Sequence, residues 1–379
     1  MHLARLRLRD FRNWERLDLA LESGLVVFHG PNGAGKTNLL EAVHLAAVGE
    51  PPRARTIEET IRHGCEHAYL AATFAGEGGG VRIEVGLSRR GERRLKVGGA
   101  PRRRADLIGL APVVHFSTRD IEVVRGEPGG RRRLLDAEIG AIDRGYYFSL
   151  ARYRRTLDQR NRLLKDLRPG AAAGALEPWD RSLARYGARV MVGRADFVAA
   201  LAPQAAAAYA RLSGEPGGVL ALAYRPAIAV PEEHWRVGTE EERRRLVEEV
   251  AGSIEGALRE RRKEDIAYGV TGQGPHRDDV ELLLRGRPVR LYGSQGEQRA
   301  CAAALRMGLA AVIEAETGRR PVMLLDDILS ELDARYRQGV LHAAAAAEQV
   351  LITCCDAADL PEAAGASCRL FEVRDGAIV

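Results

Sequence analysis

A single stretch limits what this chain can fold into. Leu25-Val26-Val27-Phe28 is an apolar, β-branched run, followed after His29 by Gly30-Pro31-Asn32-Gly33-Ala34-Gly35-Lys36-Thr37. These residues satisfy G-x-x-x-x-G-K-[ST] at every defined position, the phosphate-loop (Walker A) pattern. From Asn38 to about Val48, Leu39, Leu40, Val43 and Leu45 supply the apolar positions of a helix. Strand, glycine loop and helix is the context in which the pattern has physical meaning. Glycines let backbone N–H groups converge on phosphate oxygens, and the helix N-terminus adds a favourable dipole. In such a loop Lys36 reaches the β- and γ-phosphates and the Thr37 hydroxyl holds Mg²⁺. The stretch predicts a nucleoside-triphosphate site, with ATP and Mg²⁺ as cofactors.

A second stretch supplies what the loop lacks. Arg320-Pro321-Val322-Met323-Leu324-Leu325-Asp326-Asp327 is an apolar strand ending in two carboxylates, the Walker B arrangement. A buried parallel strand of this kind aims an acid at the metal held by the loop threonine. Asp326 is the expected Mg²⁺ ligand beside Thr37. Asp327, one residue on, is placed to orient or deprotonate the attacking water. Lys36, Asp326 and Asp327 are therefore the expected catalytic set.

The rest of the chain frames these motifs. Residues 3–9 alternate apolar and basic, as a half-buried strand would, and Arg16 to Leu21 alternates again after a turn at Asp10-Phe11-Arg12-Asn13-Trp14. Tyr69 to Val97 reads as an antiparallel β meander with glycine-rich links. Residues 89–104 hold eight basic side chains against one acid, Glu92. That run fits a solvated hairpin or a nucleic-acid contact equally well. Val113-Val114-His115-Phe116 reads as a buried strand. Character changes at Gly126-Glu127-Pro128-Gly129-Gly130, beyond which lies an Arg- and Ala-rich helical region. Residues 131–168 carry eleven Arg or Lys against five acids, including Arg131, Arg132, Arg133, Arg154 and Arg155. These arginines are candidates for phosphate contact, set against the plainer reading of a solvated helix face. Val219 to Tyr224 reads as a strand that can return to the core, and Glu240 to Asp265 as a charged helix. β character is expected again at Tyr268-Gly269-Val270-Thr271 and at Val280 to Leu284. The pattern divides the chain into 1–125, 126–264 and 265–379.

Composition narrows the function classes. With 379 residues, 29% charged and 46% hydrophobic, the chain has the balance of a folded soluble protein of two or three domains. A formal charge of +5 makes an acidic polymer a reasonable partner. Five cysteines without C-x-x-C spacing argue against a disulfide framework and against a zinc site. Arg5, Arg7, Arg9 and Asp10 leave no room for a signal-peptide core, and no apolar run is long enough to span a membrane. A cytoplasmic protein is expected. Trp14, Trp179 and Trp235 stand alone and read as packing residues. His276, after a Gly274-Pro275 turn, reads first as a structural hydrogen-bonding group and second as a coupling residue.

Two further stretches carry a resemblance. Ser294-Gln295-Gly296-Glu297-Gln298-Arg299 opens a helix, and Ser330-Glu331-Leu332-Asp333 follows the Walker B acids. They resemble the signature motif and D-loop of ATP-binding-cassette ATPases. That resemblance implies an ATP-sandwiched homodimer in which Ser294, Gln295, Gly296 and Glu297, with Asp333, complete the partner's site. Within that superfamily the chain resembles the RecF family, related to the SMC and double-strand-break repair ATPases. The motifs that carry this are Asp10 to Trp14, Gly30 to Ala42, Gly126 to Asp136, Arg160 to Leu164, Gly274-Pro275-His276-Arg277-Asp278-Asp279, Ser294 to Gln298 and Leu325 to Asp333. The resemblance implies a P-loop ABC-type ATPase head, a mixed sheet with flanking helices plus an antiparallel β meander, with an inserted, mostly helical arm. It also implies duplex and gapped DNA as ligand, single-strand/double-strand junctions among its forms, and the partners RecR and, with it, RecO. Slow hydrolysis would act as a release switch during recombinational repair. One departure stands out: Phe116-Ser117-Thr118-Arg119-Asp120-Ile121 replaces the usual Phe-Ser-Pro-Glu-Asp-Leu at a Q-loop-like position. Arg119 replaces an acid there, and Asp120 is the residue able to keep a sensing role.

Two other classes fit the sequence less well. A transporter-type cassette ATPase would need the compact helical subdomain that the arginine-rich insertion replaces. An SMC-like structural ATPase would need a much longer coiled coil than residues 126–264 provide, and its zinc-hooked relatives carry a C-x-x-C hook that is missing.

Overall fold

The structure is a computed structural model; it describes every residue except 55, 77–78, 168–172, 216–217, 231–234, 236–238, 332–333, 345–346 and 357–367. From the N-terminus the chain forms β1 (His2–Phe11), β2 (Trp14–Ala20), β3 (Gly24–His29) and α1 (Lys36–Val48). β4 (His67–Ala75), β5 (Val81–Ser88), β6 (Arg93–Val97), β7 (Ala100–Arg102) and β8 (Val113–Ser117) follow. The middle supplies α2 (Ile121–Arg125), α3 (Pro128–Ile142), α4 (Arg144–Asp166), α5 (Glu177–Ser213), β9 (Leu220–Arg225), α6 (Glu240–Glu260) and α7 (Arg262–Tyr268). Then come β10 (Asp279–Leu284), β11 (Arg287–Pro288), α8 (Val289–Tyr292), α9 (Gln295–Thr317) and β12 (Val322–Asp326). The last elements are α10 (Ala334–Ala344), β13 (Gln349–Cys354), β14 (Cys368–Arg374) and β15 (Ala377–Ile378).

Two compact units result, one of Met1–Ile121, Gln204–Leu220 and Gly293–Val379, the other of Glu122–Pro203 and Ala221–Tyr292. The sequence division at 126 and 265 follows the change in residue character. The compact units instead leave 204–220 with the first and carry the second on to residue 292.

The first unit holds two six-stranded sheets. One is antiparallel, in the order β2-β1-β4-β5-β6-β7. The other, β15-β14-β3-β13-β12-β8, is parallel except for its β15 edge. Alternation decides the first: Leu3, Leu6 and Leu8 of β1 face inward with Leu70, Phe74, Ile83 and Val85, while the charged residues between them face out. Continuous burial decides the second: every residue of β12 and β13 is buried, as expected of strands covered on both faces. Helix α1 shares one core with both sheets and buries residues all around its circumference, including Leu39, Leu40, Val43 and Leu45. Each fully buried leucine of this kind contributes about 1.5–3 kcal/mol.

The second unit is mostly helical, with a small sheet in the order β11-β10-β9. Helix α6 shows why: Leu246, Val250, Ile254 and Leu258 form a buried stripe at i, i+4 spacing, and a Thr239–Glu242 capping box starts it. The expected helix over 240–265 is broken at Arg261 into α6 and α7. The expected strand at 268–271 is absent. Gly269 caps α7 in the left-handed region (φ 67), and Thr271 bonds the Asn161 side chain through both N–H and hydroxyl, leaving no ladder to join. The 219–224 strand exists as β9, but it pairs within the β10 sheet and not with either six-stranded sheet.

Two ion clusters are buried in this unit. Arg160 donates to Asp180, Asp265 and Thr271, and Arg194 donates to Asp136, Asp278 and the Pro275 carbonyl. Removing one partner from such a pair costs about 3–5 kcal/mol because the other charge is left stranded.

Candidate nucleotide-binding site

In an open α/β sheet, ligands bind beyond the carboxyl ends of the parallel strands. β3, β13 and β12 are adjacent parallel neighbours; β3 ends at the phosphate loop and β12 at the Walker B acids, with β13 between them. Gly30 to Gly35 links β3 to α1. Gly30 (φ 145) could carry no side chain, because a Cβ there would lie 2.2 Å from the Val373 carbonyl oxygen. At Gly35 (φ 110) a Cβ would lie 2.4 Å from Asn13 Nδ2 and would displace that side chain. Lys36 is buried at the first turn of α1, and its ammonium donates to the carbonyls of Gly30 (2.6 Å) and Pro31 (2.9 Å). A buried cation answered only by neutral carbonyls is poised for an anion. Pro31, Asn32 and Gly33 form the exposed crest of the loop, and Asn32 Oδ1 accepts from the Cys355 thiol at 3.0 Å.

The loop is clasped from behind by the β1–β2 turn. Asn13 Nδ2 donates to the Ala34 carbonyl (2.8 Å), Asn13 Oδ1 accepts from the Asn38 side chain (2.8 Å), and Trp14 Nε1 donates to the Gly35 carbonyl (3.1 Å). Gly376 N–H also donates to Ala34. Arg12 completes the clasp with a two-bond ion pair to buried Glu41 on α1. The sequence marks Asp10 to Trp14 as a turn without disclosing this task, and polar residues in a tight turn are its one local signal. Asn13→Ala is expected to weaken ATP binding about tenfold while leaving the fold intact, since a net hydrogen bond contributes about 0.5–1.5 kcal/mol. Equilibrium nucleotide titration beside a thermal melt checks this.

The Walker B strand meets the loop. Thr37 Oγ1 donates to Asp326 Oδ1 at 2.7 Å, and Thr353 Oγ1 on β13 donates to the same oxygen at 2.9 Å. Asp326 is buried at the end of β12. Asp327 follows in the left-handed region (φ 55), and its N–H donates to Thr353 Oγ1 at 2.9 Å. Thr353 therefore holds the Asp326 carboxylate and the Asp327 backbone, a role the sequence did not disclose.

The signature stretch begins α9. Ser294 is its N-cap: Glu297 N–H donates to Ser294 Oγ at 3.3 Å, while the Ser294 hydroxyl donates to the Glu297 carboxylate at 2.9 Å. Ser294 and Gln295 are exposed, with Gly296 and Glu297 half-buried behind them. Leu291 and Tyr292, just before them in the chain, are 70% and 66% exposed. Further along the helix, Arg306 donates through two nitrogens to Asp120 Oδ1 (3.0 and 2.6 Å), and Asp120 Oδ2 accepts from Ser117 N–H. Asp120 thus links the Q-loop-like turn to the signature helix, whereas Arg119 is exposed. Asp333 of the D-loop lies outside the described residues.

The arm arginines divide. Arg131 is buried and fully engaged by Asp279 and by the carbonyls of Val123 and Gly126, which makes it a structural anchor instead of a surface contact. Arg132 is half-buried and donates to the Asp278 carbonyl, and Arg154 donates to Asp136. Arg133 and Arg155 are exposed. His276 takes the structural role: it accepts from the Tyr153 hydroxyl at Nδ1 (2.6 Å) and donates from Nε2 to the Thr271 carbonyl (2.9 Å). Burial pushes its pKa down to about 4, so it is neutral at physiological pH.

The sequence profile of the RecF/RecN/SMC N-terminal domain matches residues 2–378. The chain is 37% identical over 381 residues to the "DNA replication and repair protein RecF" of Symbiobacterium thermophilum, covering 100% of this chain and 98% of that protein. The chain belongs to the RecF family. RecF of Anaeromyxobacter dehalogenans is 38% identical over 383 residues, covering 100% of this chain and 99% of the relative. Among solved structures, the recombination mediator protein RecF of the RecFOR pathway, as RecF-ATP, superposes with TM-score 0.87 at 30% identity, covering 100% of this chain and 97% of that one. An SMC head bound to the C-terminal winged-helix domain of ScpA reaches TM-score 0.56 at 16% identity, covering 100% of this chain and 96% of that chain, a likeness of fold. The fold is therefore that of RecF and SMC ATPase heads with a helical arm. Among the described residues, no helix is long and apolar enough to cross a membrane.

Proposed function

We propose that this chain is an ATP-dependent DNA-binding switch of recombinational repair. Two copies close around ATP, the closed pair holds duplex or gapped DNA, and slow hydrolysis releases it. The observation that carries this reading is the meeting of Thr37 and Asp326 at 2.7 Å at the carboxyl ends of parallel strands, beside a buried lysine facing only carbonyls. The RecF relatives named for DNA replication and repair, and the RecF-ATP structure, support it.

The residues fit the groups they would hold. A threonine hydroxyl and a carboxylate are hard oxygen donors of the kind Mg²⁺ takes together with phosphate oxygens. Bound there, Mg²⁺ would neutralise charge on the phosphates. The loop residues other than Pro31 would offer backbone N–H groups to the phosphates, and Lys36 would exchange its carbonyl partners for phosphate oxygens. Asp327 takes the role of orienting the attacking water. Ser294 and Gly296, at an exposed helix N-terminus, complete the site of the second copy, a task in which the family resemblance includes Asp333. In this reading the head comprises 1–125 and 265–379, the arm 126–264, and the protein works in the cytoplasm with RecR and RecO.

Light scattering with and without ATP·Mg²⁺, alone and with a gapped duplex, tests the switch. The mass is expected to double with ATP, more so with DNA, and to stay monomeric in Ser294→Arg. A monomer under every condition would overturn the shared-site geometry.

A further inference from the structure

The outward face of the antiparallel sheet carries charge that the nucleotide site does not use. Arg5, Arg7 and Arg9 alternate along β1 with the core leucines and are 48%, 38% and 79% exposed. Strand register extends them into rows across the sheet. Arg9 lies opposite Arg16 on β2 and Tyr69 on β4, Tyr69 opposite Gly86, and Gly86 opposite Arg94 on β6. The next row is Asp18, Arg7, Ala71, Glu84 and Lys96, and the one beyond it Ala20, Arg5, Thr73 and Arg82. The outer rows hold arginines and no acid, while the middle row is balanced.

Internal pairing does not account for this pattern. Arg9 and Arg16 are like charges directly opposite one another, a placement that costs stability. Arg16 and Arg94 have no ion-pair or hydrogen-bond partner among the described residues. Asp18 lies between Arg5 and Arg7 and answers one charge for two, its pKa pushed down to about 2 by the Arg5 hydrogen bond. Arg82 and Glu84 pair with each other, and the Tyr69 hydroxyl also donates to Glu84. At the hairpin end, Asp10 lies 3.7 Å from both Arg9 and Arg62, one carboxylate between two cations, and Glu15 pairs with Arg62.

We propose that this face is a docking surface for the phosphate backbones of duplex DNA. Its width from β2 to β6 is about 19 Å, and the outer rows lie about 14 Å apart along the strands. That separation suits two phosphate strands flanking a major groove about 12 Å wide. Single-stranded DNA fits less well, because Tyr69 is the one aromatic among these row positions and its hydroxyl is tied down, leaving no stacking platform. The inference rests on the DNA-binding reading above and names the surface that performs it.

The test compares two triple variants on a short blunt duplex, titrated with ATP over a range of salt. Arg9→Ser/Arg16→Ser/Arg94→Ser is expected to weaken binding at least about tenfold and to lower the slope of log affinity against log salt by about 2 to 3. Its thermal midpoint should hold or rise, since a like-charge pair is removed. Arg152→Ser/Arg155→Ser/Arg162→Ser, on exposed positions of α4, should stay within about threefold of the unaltered protein. Loss in the α4 variant with none in the sheet variant would overturn the sheet assignment and leave DNA binding standing. A sheet variant impaired on single strands but not on duplex would overturn the duplex assignment. Absence of duplex binding by the unaltered protein would overturn both readings.

Discussion

Lys36→Ala is expected to lower ATP affinity by about 100-fold or more, because charge-assisted hydrogen bonds contribute about 1.5–3 kcal/mol each and a loop lysine makes more than one to phosphate. The lysine is buried and its ammonium already draws the Gly30 and Pro31 carbonyls inward, so the loop is shaped around a cation. Alanine removes both the charge and the brace. Lys36→Met separates the two effects: it keeps most of the stem and loses only the charge. If both variants bind ATP within about threefold of the unaltered protein, by calorimetry at one ionic strength, the loop is not the phosphate site. If methionine binds well and alanine does not, the lysine acts through packing. Loss in both, with the thermal midpoint retained, assigns the charge to the phosphates.

What could be read from residue order alone follows from how local each signal is. Gly30 to Thr37 and Val322 to Asp327 each fit inside one turn or strand, so the sequence predicts them without tertiary knowledge, and the structure places Thr37 beside Asp326. The alternation of Arg5, Arg7 and Arg9 likewise predicts a half-buried strand. The clasp of Asn13 and Trp14 on Ala34 and Gly35 crosses 21 residues, and the Arg306–Asp120 link crosses 186, so neither leaves a local trace. Charge runs on helices mislead for a related reason. Arg131 and Arg133 look equivalent in sequence, yet two steps of 100° turn one toward Asp279 and the other toward solvent. Tyr268 to Thr271 mislead differently: a tyrosine, a valine and a threonine carry β propensity, but Gly269 in the left-handed region ends a helix there.

Asp327→Asn is expected to leave ATP binding within a few-fold, cut turnover by about 10²- to 10⁴-fold, and hold the ATP-bound protein as a dimer. The substitution is chosen for the backbone: Asp327 sits at φ 55, a region that asparagine tolerates better than most residues. A loss of activity would therefore report the carboxylate and not a strained turn. The adjacent acids are set apart by their surroundings. Asp326 is buried and accepts from Thr37 and Thr353 at one oxygen, which fixes it beside the loop where the proposed metal would bind. Asp327 is half-buried, and the Thr353 hydroxyl accepts from its backbone N–H. Asp326→Asn should accordingly weaken Mg²⁺-dependent ATP binding itself, whereas Asp327→Asn should spare it. Measuring binding and single-turnover hydrolysis in both variants separates the roles. Unchanged turnover in Asp327→Asn would remove that residue from the chemistry, and equal loss of binding in both would mean that the two acids act together on the metal.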